Sequence, residues 1–116
     1  MNDLTVRLMK DRLKSEYTSL RTNFDNFLQQ VDGPETFSMH KETAIDILNA
    51  YRRLIRKFYN ARVNKYDFEN CVWLKDLYDL CWVKKPQMFD FLHKDSFIKN
   101  YTATLDTIEH TLWKET

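Results

Sequence analysis

Apolar residues recur along this chain at helical intervals for most of its length. From Leu13 the steps to Tyr17, Leu20, Phe24, Phe27 and Val31 are four, three, four, three and four. That alternation keeps all of them on one stripe of an α-helix, and Val6 extends it. The pattern predicts a first helix over 3–31, with Lys10 interrupting its seam. Asp32-Gly33-Pro34 follows, where glycine can take the left-handed cap and proline cannot continue a helix.

Ala44, Ile47, Leu48, Tyr51, Leu54, Ile55, Phe58 and Tyr59 form a second stripe. The expected helix is capped by Ser38, or by Thr36, and fades over 60–64. Phe68, Cys71, Val72, Leu74, Leu77, Tyr78, Cys81 and Trp82 give a third helix over 67–83 a broad apolar face. Asp67 and Glu69 suit its start, and Lys84 and Lys85 its end. Pro86 then stops it or opens a short helix over 86–94. Asp95 or Ser96 is expected to cap a last helix reaching 114, with Ile98, Tyr101, Leu105, Ile108 and Leu112 on its stripe. Four threonines in that helix are mediocre helix formers, so its stability rests on packing.

The chain has one glycine and two prolines, so its elements are few and long. No turn dipeptide sits between alternating apolar runs, which argues against hairpins. The expected fold is all-α: a compact four- to five-helix bundle forming a single domain over 1–116. The first and last helices carry the cleanest heptads. They pack within one chain, or part of the first pairs with a second copy as a homodimer.

Composition then narrows the chemistry. Hydrophobic residues reach 43% and aromatics 15%, enough bulky core to argue against disorder. A single glycine excludes the glycine-rich loops that cradle phosphates. Apolar runs reach four residues, such as 71–74, too short to span a membrane. Cys71 and Cys81 make no disulfide framework, and no signal-like segment opens the chain. The expectation is a cytoplasmic protein with reduced thiols. Abundant Lys, Asn, Asp, Phe and Tyr suit an AT-rich genome, including many phage genomes; for a viral protein the compartment is the host cytoplasm.

Net charge is only +1, so any electrostatic function must be local. No Asp or Glu occurs between Asp46 and Asp67, while Arg52, Arg53, Arg56, Lys57, Arg62 and Lys65 do. At about 100° per residue, Arg53, Arg56, Lys57, Asn49, Asn60 and Asn64 lie opposite the apolar stripe. Arg52, Arg53, Arg56 and Lys57 therefore form a candidate surface for nucleic acid or an acidic protein patch. The competing reading is a solvated polar face, partly neutralised by Asp67, Glu69, Asp76 and Asp79 of the next helix.

A second candidate is the apolar cluster Trp82, Met88, Phe89, Phe91 and Leu92. A very short helix cannot bury all four of its large apolar side chains on one side, so they suit an adaptable contact surface. The competing reading is a plug closing one end of the core. Trp113 is a further anchor with the same two readings.

No metal or cofactor is expected. Asp90 with His93, Asp106 with His110, and His40-Lys41-Glu42 are partial ligand spacings without a third partner. Neither cysteine sits in an evident cationic setting, and no nucleophile motif occurs. The expectation is a non-enzymatic interaction protein: a regulator, inhibitor, adaptor or assembly subunit. Its partner is a protein, and the alternative is a nucleic-acid-binding accessory using the basic face of the second helix.

Overall fold

A computed structural model describes residues 3–63, 72–80 and 91–114. Among these the chain is all-α, with α1 Asp3–Gln30, α2 Pro34–Val63, α3 Val72–Leu80 and α4 Lys94–Trp113. One turn of 3-10 helix, Phe91–His93, leads into α4.

The turn between α1 and α2 shows how little chain is needed to reverse direction. The last α1-type bond runs from the Val31 amide to the Phe27 carbonyl at 3.2 Å. The Phe37 amide already donates to the Gly33 carbonyl at 3.0 Å, so α2 begins four residues before the expected Ser38 cap. Pro34 takes the first helical position, where its missing N–H costs nothing. The Thr36 hydroxyl accepts from the Asp32 and Gly33 amides at 2.9 and 3.1 Å and donates to the Asp32 carboxylate at 2.8 Å. Thr36 thus works from inside the helix, reaching back over the turn. Gly33 does not adopt the left-handed conformation expected of it.

The early start of α2 carries Phe37 into the core, where it is only 1% exposed. Its ring lies 6.3 Å from Phe27 and 5.8 Å, edge on, from Phe97. Phe97 is equally buried and contacts Phe27 at 5.8 Å. Beside them Phe24 stacks on Tyr101 at 4.1 Å, nearly parallel. These rings tie α1, α2 and α4 together at the turn end. Tyr101 also crosses to α2, its hydroxyl donating to the Ala44 carbonyl at 2.8 Å. Tyr51 of α2 does the same to the Leu13 carbonyl of α1 at 2.8 Å.

Contacts step in opposite directions along α1 and α4. Tyr17 meets Trp113, Phe24 meets Tyr101 and Phe27 meets Phe97, so the two helices run antiparallel. An Arg21–Asp106 ion pair of 2.9 Å bridges them, and Arg21 also donates to the Tyr17 hydroxyl at 3.2 Å. The stripe of α1 is therefore covered by α2 and α4 of the same chain. In α4, Thr104, Thr107 and Thr111 return their hydroxyl hydrogens to the carbonyls four residues earlier, at 3.0, 2.9 and 2.8 Å. Their polar groups are thus satisfied on the helix itself.

At the other end, Tyr59 of α2 stacks on Tyr78 of α3 at 3.7 Å. Lys10, the break in the α1 seam, lays its ammonium 5.3 Å from the Trp73 ring centroid. Partial burial there, with the Lys14 charge adding to it, lowers the Lys10 pKa. The apolar seam tolerates this cation because an aromatic face receives it.

Two helix boundaries differ from expectation. Residue 93, not Asp95 or Ser96, precedes α4, and no side chain caps it. The 3-10 turn runs straight into α4, so Asp95 falls in its first turn, where it complements the helix dipole. The described part of the third helix is 72–80; the rest of the expected 67–83 lies outside the described residues. Of the expected short helix over 86–94, the described part is the 3-10 turn and the first residue of α4.

The molecule is a rod of 50 × 23 × 20 Å with a radius of gyration of 15.7 Å. A compact chain of this length would have about 13 Å. Helices of 28 and 30 residues impose the elongation, since they rise to about 42 and 45 Å.

Replacing Phe97 by Ala is expected to cost about 3–5 kcal/mol, because the vacated ring leaves a cavity among three others. Leu92→Ala, at a position 88% exposed, is expected to change stability little. Urea unfolding of both variants checks the contrast. Burial pushes the Tyr51 and Tyr101 phenols well above their ordinary value. The folded state then binds more protons than the unfolded state above about pH 10. Stability is expected to hold from neutral pH to about 9 and to fall above about 10. Thermal melts across that range check the sign, and Tyr51→Phe with Tyr101→Phe should flatten the fall.

Candidate functional site

The basic residues of α2 divide by the side of the helix they occupy. Arg52 follows buried Tyr51 and is itself only 8% exposed. Its Nη1 donates to the Asn49 carboxamide at 3.2 Å, and its charge opposes the burial that raises the Tyr101 phenol. Arg52 is thus a core-edge residue and not part of the solvent face expected of it. Arg53 and Lys57 are exposed and Arg56 is half-buried. These three form no ion pair or hydrogen bond with a described residue.

Of the carboxylates expected to neutralise this face in part, the described ones form no ion pair with it. Asp79 pairs with Lys75 on its own helix at 3.5 Å. Asp76 makes no ion pair with the α2 cations, and Asp67 and Glu69 lie outside the described residues. A cation of another helix meets α2 on its apolar stripe. Arg12 of α1 crosses to α2, its guanidinium carbon 6.0 Å from the Phe58 ring centroid. Sequence reading missed it because only the α1–α2 packing brings Arg12 to Phe58.

Trp82, Met88 and Phe89 of the expected apolar cluster lie outside the described residues. Phe91 and Leu92 sit in the 3-10 turn, and the Leu92 side chain is 88% exposed. Trp113 at the far end of α4 is 46% exposed, its ring edge on Tyr17 and the Lys14 ammonium 5.4 Å from its centroid.

Of the partial ligand spacings, Asp90 lies outside the described residues; among the described residues no three His, Cys, Asp or Glu side chains gather. Asp106 is engaged by Arg21 rather than by His110. No helix is long and apolar enough to cross a membrane among the described residues.

Two shallow cavities of about 190 Å³ each line the α1–α2 seam. The first has Asn23, Asn26, Gln30, His40 and Thr43 on its rim over a floor that includes Phe24, Ile47 and Tyr101. Ser19, Leu20, Ala50 and Leu54 line the second, with Glu16 its carboxylate. Asn23 and Ile47 belong to both, so the two form one groove. This groove was not anticipated from sequence, because its rim residues lie on neither apolar stripe nor charge run. Comparison with known proteins finds no matching family model, no similar curated protein and no similar solved structure.

Charge reversal separates the two kinds of α2 arginine. Arg53→Glu with Lys57→Glu is expected to shift stability by no more than about 0.5 kcal/mol per site. Arg52→Glu is expected to cost about 3 kcal/mol, because it places a carboxylate where a buried cation was held. Urea titration of the two variants measures the difference.

Proposed function

We propose that this chain is a non-enzymatic binding protein that acts by occupying a surface of a protein partner, as a regulator, inhibitor, adaptor or assembly subunit. The observation that carries this reading is the cationic face of α2: Arg53, Arg56 and Lys57 make no ion pair with a described residue, and Lys57 stands one turn from half-buried Leu54. Cations next to apolar surface suit a protein whose contact face is both acidic and apolar. A phosphate backbone would use the cations and leave the apolar seam wet. Net charge of +1 gives no general attraction for nucleic acid, so nucleic-acid binding through the same flank is the second reading. Leu92, 88% exposed, offers a separate apolar anchor at the other end of the rod. In this reading the helices form a single four- to five-helix bundle and the protein works in the cytoplasm, the host's if it is viral.

A photo-cross-linking residue placed at Lys57, and separately at Leu92, tests the proposal in the native cell. The expected result is a discrete adduct that protease destroys and nuclease does not. An adduct at Lys57 sensitive only to nuclease would replace this reading with the second one. An adduct of twice the chain mass containing this chain alone would assign the surface to self-association.

A further inference from the structure

One narrow stripe of α2 faces solvent with its charges sorted by sign. Glu42, Asp46, Arg53 and Lys57 are all exposed, and at about 100° per residue they lie within about 60° of arc. The two carboxylates stand toward the α1–α2 turn and the two cations toward the other end of the helix. None of the four forms an ion pair or hydrogen bond with a described residue. Glu42 and Asp46 are four residues apart, as are Arg53 and Lys57. Each of the four finds only its own sign among the charged residues three and four positions away. Like charges at that spacing repel, and no described residue offsets the repulsion.

The stripe is complementary to itself. Glu42 and Lys57 are equidistant from the midpoint between Asn49 and Ala50, and so are Asp46 and Arg53. A two-fold axis through that midpoint, perpendicular to α2, sets every carboxylate of one copy against a cation of the other. We propose that this face of α2 pairs with the same face of a second copy, antiparallel about that axis, with Glu42 against Lys57 and Asp46 against Arg53. The proposal rests on the protein-binding reading above and names the partner. That reading asks for a contact face both acidic and apolar, and the first half of the stripe is one: Met39, 67% exposed, lies in line with Glu42 and Asp46. Exposed Ala50 lies at the axis, where its small side chain lets two helices approach to about 8–10 Å. The contact is isologous, so each of the two ion pairs forms twice.

Other occupants answer less of the stripe. A parallel copy sets like charges together. An acidic protein or a phosphate backbone engages Arg53 and Lys57 and leaves Glu42 and Asp46 facing its own sign. From Glu35 to Asn60 the stripe is about 38 Å long, and one helix width of contact over that length falls short of a standard interface. Exposed ion pairs contribute little each. The expected Kd is therefore about 0.5 mM, and at roughly tens of micromolar most chains stand alone with the face open to solvent.

The test uses the full chain. A carbodiimide joins a carboxylate to an amine without a spacer. Glu42 and Lys57 are about 22 Å apart along α2, so a link between them forms only between copies. The expected result is a Glu42–Lys57 link in a species of twice the chain mass. Its yield should rise with chain concentration up to about 1 mM and fall at least fivefold between about 20 mM and about 500 mM salt. Sedimentation equilibrium gives the second readout. Glu42→Lys with Asp46→Lys, and separately Arg53→Glu with Lys57→Glu, should each weaken self-association at least tenfold. Mixed together the two variants should associate, and all four substitutions in one chain should restore self-association. Should a variant lose helicity, the cross-link on the unaltered chain decides. Absence of the link at about 1 mM chain and low salt, an equal yield at high salt, or failure of the mixed helical variants to associate would overturn the proposal. A protein adduct at Lys57 that contains another chain, without the Glu42–Lys57 link, removes the self-pairing and keeps the protein-binding reading. An adduct to nucleic acid alone, again without the link, removes both.

Discussion

The Phe24–Tyr101 stack is the contact on which the rest of the arrangement depends. Two rings 4.1 Å apart and nearly parallel bring α1 and α4 close along their length. Tyr101 then reaches α2 through its hydroxyl bond to the Ala44 carbonyl. Phe27, Phe37 and Phe97 close around this pair, so one aromatic layer sets the relative positions of three helices. Aromatic rings span more distance than aliphatic side chains, and buried aliphatic residues such as Leu13, Leu20, Leu105 and Leu112 complete the same core. The rod that results is narrow, and much of each helix faces solvent.

That geometry decides which surfaces can act. The stripe of α1 is divided between α2 on one flank and α4 on the other, leaving the outer α1–α2 seam open. The same packing sorts the arginines of α2. Arg52 turns toward the core beside Tyr101, while Arg53 and Lys57 face away from it. Arg12 is brought to Phe58 only because α1 packs antiparallel to α2. The candidate surface is thus a product of packing, assembled from residues far apart in sequence.

Much of the fold was legible in the chain because apolar spacing reports directly on helical faces. Leu13, Tyr17, Leu20, Phe24 and Phe27 were read as one stripe, and all are buried. What escaped was controlled by local chemistry at helix starts. Ser38 looked like a cap, yet Pro34 and the Thr36 hydroxyl begin α2 earlier and carry Phe37 inside. Phe97 lies just inside α4, and a cap expected at Asp95 or Ser96 hid its place on the stripe. On the functional side, Arg53 and Lys57 were readable as exposed from the helical wheel. Arg52 was not, since its burial depends on neighbours that one helix cannot reveal. The carboxamide rim was invisible for the same reason: Asn23, Asn26 and Gln30 become a set only against His40 and Thr43.

The central claim is that one aromatic layer packs α1, α2 and α4 while leaving the α1–α2 seam open to solvent. A soluble paramagnetic agent added to the isotopically labelled chain tests it most directly. The account expects strong broadening at the side-chain amides of Asn23 and Asn26 and at the Arg53 and Lys57 backbone, with the ring signals of Phe24, Phe37, Phe97 and Tyr101 untouched. Protected carboxamides, or broadened Tyr101 and Phe97 rings, would contradict it.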